Sequence, residues 1–180
     1  MKVTATDLPD VLVLEPRVFA DRRGCFFESW NERAFAQSTG LAVRFVQDNQ
    51  SCSVRNVLRG IHYQVVRPQG RLVRVIEGTV LDVAVDLRRS SPTFRHWVSA
   101  ELSAENKRQV WIPPGFGHGF LVRSEAATFL YKATEYWIAE HDRSVRWNDP
   151  QLAIDWGVAA PILADRDTDA PLLADAEVFP

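Results

Sequence analysis

Two of the four histidines lie in segments whose composition could support proton transfer or ligand binding. His62 lies in Leu-Arg-Gly-Ile-His-Tyr-Gln, residues 58–64, where alternation puts it on one face with Leu58, Gly60 and Gln64. Imidazole has an ordinary pKa of about 6.5 and accepts a proton at neutral pH, particularly where a carboxylate orients the ring. His62 is therefore a candidate base. The alternative is a core histidine satisfied by hydrogen bonds, and no sequence pattern names its carboxylate.

The second segment, residues 111–120, reads Trp-Ile-Pro-Pro-Gly-Phe-Gly-His-Gly-Phe and resembles the second half of a cupin motif. We expect His118 to lie in a turn and to point into the space that the fold encloses. A metal-binding cupin normally brings two histidines one residue apart and a nearby glutamate, whereas Tyr63 and Gln64 follow His62. We therefore predict no catalytic metal. A metal-dependent oxygenase or isomerase is an alternative that metal analysis would detect.

Aromatic side chains alternate along residues 128–138, which we predict to be one strand. Its shared face would carry Phe129, Tyr131, Ala133, Glu135 and Trp137. Aromatic rows more often belong to a core than to a ligand site. If this face lined a cavity, Tyr131 could contact a sugar while Trp137 stacked on a base.

Neutral polar groups and arginines could complete a site for an anionic ligand. Gln47, Asn49 and Ser51 share one face of their segment, although a solvated surface is an equal alternative. Guanidinium groups make bidentate hydrogen bonds to phosphate oxygens, and surface charge is the alternative for most arginines here. The candidates for a diphosphate are Arg22, Arg23, Arg59, Arg71, Arg74 and Arg166.

Alternation with a period of two residues is the main signal for secondary structure. In residues 78–87, one face carries Leu81, Val83, Val85 and Leu87, while the other carries Val80, Asp82, Ala84 and Asp86. Further strands are predicted at 44–51, 57–64, 71–76, 96–102, 109–112, 118–123 and 127–138. Many short strands between Gly, Pro, Ser and Asn turns indicate a mainly β barrel or jelly roll.

Helices are predicted to be short and peripheral. Asn31 can cap a helix over 32–38 that Gly40 ends, and Ser103 can open a turn through residue 108. Pro150 suits a first helical position. Residues 157–180 are rich in Ala, Asp and Pro, and we predict irregular structure packed across the barrel.

The bulk composition fits one globular domain over residues 1–180. The chain has 180 residues, 46% of them hydrophobic, and a net charge of −2 without the strongly basic face typical of nucleic-acid binding. No segment approaches the length of a signal peptide or membrane span, so we expect a cytoplasmic protein. Cys25 and Cys52 are interpreted as ordinary thiols.

Taken together, the motifs closely resemble the dTDP-4-dehydrorhamnose 3,5-epimerase family of dTDP-L-rhamnose synthesis. The match runs from about residue 8 to 173, and the order and spacing of its landmarks are specific. The landmarks are DVLVLEPRVFADRRGCFFESW, FVQDNQS, NVLRGIHYQ, VLDVAVDLRRSSPTF, LSAENKRQVWIPPGFGHGF, FLYKATEYW and LADRDTDAPLL. The resemblance implies a cupin-like jelly-roll β-barrel, a homodimer, no cofactor and a dTDP-linked 4-keto-6-deoxy sugar as substrate.

The resemblance also implies roles for individual residues. His62 is similar to the family's base, Asp167 to its paired carboxylate and Tyr131 to the acid that returns a proton from the opposite face. Arg71 stands where the family usually has lysine, and Trp137 where tyrosine usually stacks on thymine. The other implied ligand contacts are Phe19, Arg23, Glu28, Gln47, Asn49, Arg59, His118, Asp142 and Arg166.

One of these implied contacts conflicts with strict alternation. Arg59 and His62 would lie on opposite faces of their strand, so both can line one pocket only if the pleat breaks near Gly60.

The function implied is epimerisation at C3 and C5 of dTDP-4-dehydro-6-deoxy-D-glucose to dTDP-4-dehydro-L-rhamnose. Arg71 and Trp137 favour one alternative, a 3- or 5-monoepimerase or an enzyme for another nucleotide. A second alternative is a noncatalytic sugar-binding cupin, although such a protein would have no use for the trio of His62, Asp167 and Tyr131.

Overall fold

The strands form two large antiparallel sheets and one hairpin in the computed structural model, which describes residues 1–180. The strands are β1 (Lys2–Ala5), β2 (Leu12–Glu15), β3 (Phe19–Asp21), β4 (Gly24–Phe26), β5 (Gln47–Val54), β6 (Leu58–Gln64), β7 (Arg71–Glu77), β8 (Thr79–Asp86), β9 (Trp97–Ser103), β10 (Gln109–Ile112), β11 (Phe116–Val122), β12 (Ala126–Ala133) and β13 (Asp142–Ser144). The first sheet has the order β1-β2-β10-β7-β12-β5, and the second β13-β6-β11-β8-β9. The hairpin is β3-β4.

The two sheets pack face to face around an apolar core. Val80 and Ala84 of β8 lie in this core with Val73 and Phe129 of the first sheet. Leu81, Val83, Val85 and Leu87 lie in a separate cluster on the outer face of the second sheet. The two faces predicted for β8 are confirmed, and they explain why its sequence is apolar on both sides.

Each outer face is covered by a different part of the chain. The outer face of the second sheet packs against the C-terminal segment through residues such as Trp156 and Leu173. Helix α1 (Glu32–Thr39) packs Phe35 against Leu72 and Trp111 of the first sheet.

The predicted caps of α1 are confirmed. Asn31 Oδ1 accepts a hydrogen bond from Ala34 N at 3.0 Å, and Gly40 ends the helix in the left-handed conformation with φ of 74°. The predicted turn after Ser103 is also present, because Lys107 N donates to Ser103 O at 3.0 Å.

Two sequence expectations about elements are wrong, and a third is only partly right. Pro150 opens only a single turn, in which Asp149 Oδ1 accepts hydrogen bonds from the next amides, and no helix follows. Strand β12 ends at Ala133 and not at residue 138. Residues 157–180 are not wholly irregular, because α2 (Asp165–Thr168) lies within them. The sequence analysis does not predict the short strands β1, β2, β3, β4 and β13.

A register shift in β6 breaks the pleat where the sequence required a break. His62 pairs with His118 and Arg59 with Phe120 of β11, and the register shifts between these two pairs. Leu58 consequently shares the outer cluster with Ile61 and Tyr63, so the expectation that Leu58 shares the face of His62 is wrong. An irregularity of one residue reverses which face the following side chains occupy. Arg59 and His62 can therefore both face the inner side.

The two packed antiparallel sheets form a cupin-like jelly roll, and the predicted mainly β fold class is confirmed. The chain contains no helix with the length and apolar character needed to cross a membrane.

Candidate active site

Polar side chains collect in one part of the space between the sheets. His62 on β6 pairs in register with His118 on β11, while Tyr131 on β12 pairs with Asn49 on β5. Arg71 on β7 joins the two sides, because its Nη1 donates to His62 O at 3.2 Å. One end of the jelly roll is thus lined by side chains that can transfer protons or form hydrogen bonds.

His62 and Asp167 form a close pair. His62 Nε2 lies 2.5 Å from Asp167 Oδ1, and the side chains are 22% and 2% exposed respectively. Burial lowers the pKa of His62, and the hydrogen bond and charge of Asp167 oppose that shift only in part. The lowered pKa favours the neutral imidazole, which can accept a proton, and the Asp167 carboxylate would stabilise the imidazolium that forms.

Asp167 reaches this position because α2 is anchored beside β6. Arg166 Nη1 forms an ion pair with Asp142 Oδ2 at 2.9 Å, and its Nε lies 3.8 Å from Asp167 Oδ1. Asp142 begins β13, which pairs with β6 through Gln64. The predicted ligand contacts Asp142 and Arg166 thus hold each other at the edge of the His62 pair.

Arg71 is buried and points at two groups of the site. Its Nη2 donates to Gln69 Oε1 at 3.2 Å, and its guanidinium carbon lies 5.6 Å from the centre of the Tyr131 ring. Burial lowers the pKa of Arg71 from its ordinary value, but arginine remains protonated in proteins. Arg71 therefore supplies a fixed positive charge next to His62 and Tyr131.

The predicted polar row on β5 faces the inside of the fold. Gln47 Nε2 donates to Asn49 Oδ1 at 2.9 Å. Asn49 Nδ2 is buried and has no hydrogen-bond partner, so it retains a donor that a ligand could use. Arg59 lies nearby on β6 and donates from Nε to Ser53 Oγ of β5 at 3.1 Å.

His118 lies on strand β11 and not in a turn, because the proline and glycine turn ends at Gly115. Its Nε2 is 2.7 Å from Asp82 Oδ2, and its ring stacks on Phe129 with centroids 5.8 Å apart. Both members of this second His–Asp pair are buried. One nitrogen of His118 is therefore already bound, which limits it to a single contact with a ligand.

Several predicted contacts lie away from this cluster in the single chain. Phe19 and Arg23 belong to the exposed β3-β4 hairpin, where Arg23 forms an ion pair with Asp21 at 2.6 Å. Glu28 follows the hairpin and accepts a hydrogen bond from Asn31 Nδ2 at 3.1 Å. No hydrogen bond or ion pair links these residues to His62.

Two arginines considered for a diphosphate are also separate from the cluster. Arg22 is exposed in the turn of the same hairpin. Arg74 lies on the outer side of the first sheet, in a cavity of about 140 Å³ that Trp30, Asn49 and Tyr131 also line. Alternation along β7 places Arg74 on the face opposite Arg71, and its contact with a diphosphate stays a prediction.

Trp137 does not share a strand with Tyr131, contrary to the sequence expectation, because β12 ends before it. The residue is 54% exposed, and its backbone N donates to Gln47 Oε1 at 3.0 Å. The indole is therefore available at the rim near the polar row of β5.

Sequence reasoning missed three polar residues that organise the site. Asp82 binds His118, while Gln64 and Gln69 bind backbone groups beside Trp137. The available signal for Asp82 was an acidic residue at an inward position of a strand that is otherwise apolar. Alternation placed Gln64 on the face of His62, whereas no comparable signal existed for Gln69.

No group of three or more His, Cys, Asp or Glu side chains is arranged to hold a metal ion. Cys25 and Cys52 are free and exposed, as expected.

Comparison with known proteins relates this fold and site to one family. The family model described as dTDP-4-dehydrorhamnose 3,5-epimerase matches residues 5–175. The dTDP-4-dehydrorhamnose 3,5-epimerase of Pseudomonas aeruginosa is 59% identical, with 100% of both chains covered. A dTDP-6-deoxy-D-glucose-3,5-epimerase from Legionella pneumophila, solved in complex with dTDP-4-keto-L-rhamnose, superposes with a TM-score of 0.94 at 47% identity. That alignment covers 97% of this chain and 93% of the other.

A dTDP-4-dehydrorhamnose 3-epimerase of Streptomyces niveus is 39% identical over 98% of this chain and 86% of its own length. The jelly roll and the similarity to these enzymes define the protein as a cupin-like isomerase. The chain belongs to the dTDP-4-dehydrorhamnose 3,5-epimerase family.

Proposed function

We propose that the protein epimerises C3 and C5 of dTDP-4-dehydro-6-deoxy-D-glucose, giving dTDP-4-dehydro-L-rhamnose. The names of the relatives support the reaction, and the dTDP-sugar bound to the Legionella enzyme supports the substrate class. In this proposal His62 is the base, Asp167 its partner, Tyr131 the acid, and Arg71 the group that stabilises the enolate.

The proposed chemistry follows from the C4 ketone, which makes the protons on C3 and C5 acidic. Neutral His62 removes one proton, and the electron pair moves to the ketone oxygen to form an enolate. The charge of Arg71 stabilises that oxygen where negative charge develops. The Tyr131 hydroxyl then donates a proton to the opposite face of the carbon, which inverts its configuration. Solvent reprotonates tyrosine and accepts the proton held by His62.

The observation that carries the proposal is the close pair between His62 and buried Asp167, which stands beside Arg71 and Tyr131. The ligand contacts proposed at this end are Gln47, Asn49, Arg59, His118, Asp142, Arg166 and, for the base, Trp137. We further propose Phe19, Arg23 and Glu28 as contacts, although their hairpin lies apart from His62 in one chain.

Proton NMR of the protein with dTDP-4-dehydro-6-deoxy-D-glucose in deuterated water tests the proposal. We expect deuterium at both C3 and C5 and product couplings of an L-configured ring. The variant His62→Ala should lose exchange at both carbons, and Tyr131→Phe should keep exchange but lose inversion at one or both. Absence of exchange in the wild-type protein would overturn the proposed reaction.

A second candidate is a 3- or 5-monoepimerase, and one observation favours it. The family resemblance implies lysine at the position of Arg71, and arginine is a poor proton donor. The similar enzyme of Streptomyces niveus is named a 3-epimerase. Deuterium at one carbon only would select this candidate in the same NMR experiment.

We also propose that residues 1–180 form one domain that works as a homodimer in the cytoplasm. The N-terminal strands β1 and β2 extend the sheet that contains β12, and the C-terminal segment packs on the other sheet. Nucleotide-sugar chemistry supports the cytoplasm, and the family resemblance supports the dimer. Light scattering of the purified protein should give twice the chain mass of 20.4 kDa.

A further inference from the structure

The segment that carries Trp137, residues 134–138, has neither strand nor helix structure. Its backbone groups therefore need partners from elsewhere in the protein. Three glutamine side chains, from β5, from β6 and from the loop before β7, make four of its backbone hydrogen bonds. Of the others, Thr134 N donates to Gly70 O and Tyr136 N to Glu135 Oε1. We call residues 134–138 the aromatic segment, because Tyr136 and Trp137 project from it and are both exposed.

Gln64 makes the largest set of these contacts. It is buried, and its Oε1 accepts a hydrogen bond from Ile138 N at 2.9 Å. Its Nε2 donates to Tyr136 O at 3.2 Å and to Arg67 O at 2.7 Å. Because Gln64 lies two positions after His62 on β6, it connects both sides of Trp137 to the strand of the proposed base.

Gln69 makes a second connection, to the proposed enolate stabiliser. Its Nε2 donates to Glu135 O at 2.9 Å, and its Oε1 accepts from Arg71 Nη2 at 3.2 Å. The two ends of one buried amide thus hold the aromatic segment and the Arg71 guanidinium. Gln47 adds a third contact, in which its Oε1 accepts from Trp137 N at 3.0 Å.

We propose that Gln64 and Gln69 are positioning residues that fix the aromatic segment relative to His62 and Arg71. The nucleotide base and the sugar are then held at a fixed distance and orientation from each other. The proposal rests on the proposed function, in which Trp137 contacts the base and His62 the sugar. Neither glutamine needs to touch the substrate. Loss of either glutamine should weaken binding of the nucleotide, and loss of Gln69 should also change the position of the Arg71 side chain.

Amide hydrogen exchange in the ligand-free protein tests the structural half of the proposal. In Gln69→Leu, we expect the Trp137 and Ile138 amides to exchange at least about tenfold faster, although Gln69 bonds neither amide. In Gln64→Leu, the Ile138 amide loses its own acceptor, so its faster exchange is expected in any case. The Trp137 amide keeps its acceptor, Gln47, and faster exchange there would show that the whole segment has loosened. Wild-type exchange at Trp137 in both variants would overturn the proposal.

Binding and kinetics test the functional half. For Gln64→Leu we expect dTDP to bind about tenfold more weakly, which corresponds to about 1.4 kcal/mol, with kcat changed by less than about threefold. Gln69→Leu should weaken dTDP binding and also lower kcat. Gln69→Glu separates the two contacts, since a carboxylate still accepts from Arg71 but no longer donates to Glu135 O. It should lose dTDP affinity, and kcat should also fall because the added carboxylate offsets the charge of Arg71 beside the proposed enolate.

A matched control measures the cost of losing a buried glutamine. Gln109 is buried on the outer side of the first sheet and donates to Ser29 O at 2.9 Å. Gln109→Leu should lower the thermal midpoint but leave exchange in the aromatic segment unchanged. Faster exchange there in Gln109→Leu would overturn the proposal, because the effect would not be specific to Gln64 and Gln69.

Failure of the proposal can be distinguished from failure of the proposed function. The variant Trp137→Ala asks separately whether the indole contacts the nucleotide. Unchanged dTDP affinity in this variant would reject Trp137 as a contact of the nucleotide base. The amide hydrogen exchange measurements would still test the positioning role of the two glutamines. Unchanged affinity in Gln64→Leu together with weaker binding in Trp137→Ala would reject the positioning role alone.

Discussion

The acid–base behaviour of single residues in the site is set by their immediate neighbours. His62 is buried enough for its pKa to fall, yet Asp167 supplies the charge that an imidazolium needs. A group with a lowered pKa stays in its basic form to lower pH. Activity should therefore persist below pH 6.5 and fall as His62 becomes protonated.

Asp167→Asn removes this charge and keeps the shape of the side chain. Because the Asp167 carboxylate raises the pKa of His62, its loss should move the acidic limb of the pH–rate profile to lower pH. We expect kcat to drop by about 10²–10⁴-fold, the range for a misplaced general base. Asp82→Asn, in the other His–Asp pair, is the control and should leave that limb where it is. An unmoved limb in Asp167→Asn would contradict the assigned pairing.

Substitutions of Arg71 should separate its charge from its hydrogen bonds. Lysine keeps the charge but cannot reproduce the two contacts to His62 O and Gln69 Oε1 with the same geometry. We expect Arg71→Lys to retain kcat within about tenfold and Arg71→Met to lose about 10²–10³-fold, the usual cost of removing an oxyanion stabiliser. Steady-state rates with saturating substrate give the comparison. A fully active Arg71→Met would exclude Arg71 from the enolate step.

At the scale of elements, the irregularity in β6 decides which side chains meet. The register shift lets Arg59 and His62 share one face, while Leu58, Ile61 and Tyr63 pack on the other. Gly60 lies within this shift with φ of 137°, in a region that L residues rarely adopt. An added Cβ would lie 2.5 Å from Gly119 Cα of β11.

Gly60→Ala should therefore destabilise the protein by roughly 2–4 kcal/mol through backbone strain and overlap with β11. Urea denaturation measures the change in the free energy of unfolding. Gly24→Ala is a control with a similar φ of 126° but open space around the added Cβ, so it isolates the backbone contribution. Equal losses in both variants would show that the contact with β11 contributes nothing.

How far the sequence predicted the elements depended on local signals. The two faces of β8 and the caps of α1 were predictable because each depends only on residues that are neighbours in the sequence. The end of β12 was not, since alternation continues to residue 138 while the backbone there bonds to glutamine side chains. The helix α2 has no side-chain cap and too few residues to produce a periodic pattern.

The site was less predictable than the fold for the same reason. His62 and Asp167 are separated by 105 residues, and only the family resemblance linked them. The second pair, between His118 and Asp82, was missed because two polar residues on different strands leave no joint pattern.

At the scale of the whole molecule, one buried carboxylate connects distant parts of the chain. Asp86 is fully buried and accepts hydrogen bonds from Arg88, Ser91 and Thr93. Arg88 also reaches Asp10 near the N-terminus at 2.9 Å, and its backbone pairs with Phe179 near the C-terminus. Burial alone would raise the pKa of Asp86, but these hydrogen bonds lower it to about 2.

The stabilisation from Asp86 should depend on pH in a defined direction. Because its folded pKa lies below its ordinary value of 3.8, the stabilisation is complete above about pH 4 and is lost as the pH falls towards 2. Asp86→Asn should lower the free energy of unfolding by about 2 kcal/mol at pH 7, and by less at pH 2.5. Urea titrations at both pH values test this. Exposed Asp175→Asn is the control, and an equal loss for Asp86→Asn at both pH values would contradict the prediction.

The distance along the chain between His62 and Asp167 also has a consequence for synthesis. A growing polypeptide leaves the ribosome N-terminus first, so His62 and both sheets emerge well before α2. Once β13 has paired Ser144 with His62, the chain that must still close to bring Asp167 to His62 runs only from residue 144. A nascent chain that ends before residue 167 lacks both the carboxylate that pairs with His62 and residues such as Leu173 that cover the outer face of the second sheet. Catalytic competence would begin only after translation is almost complete.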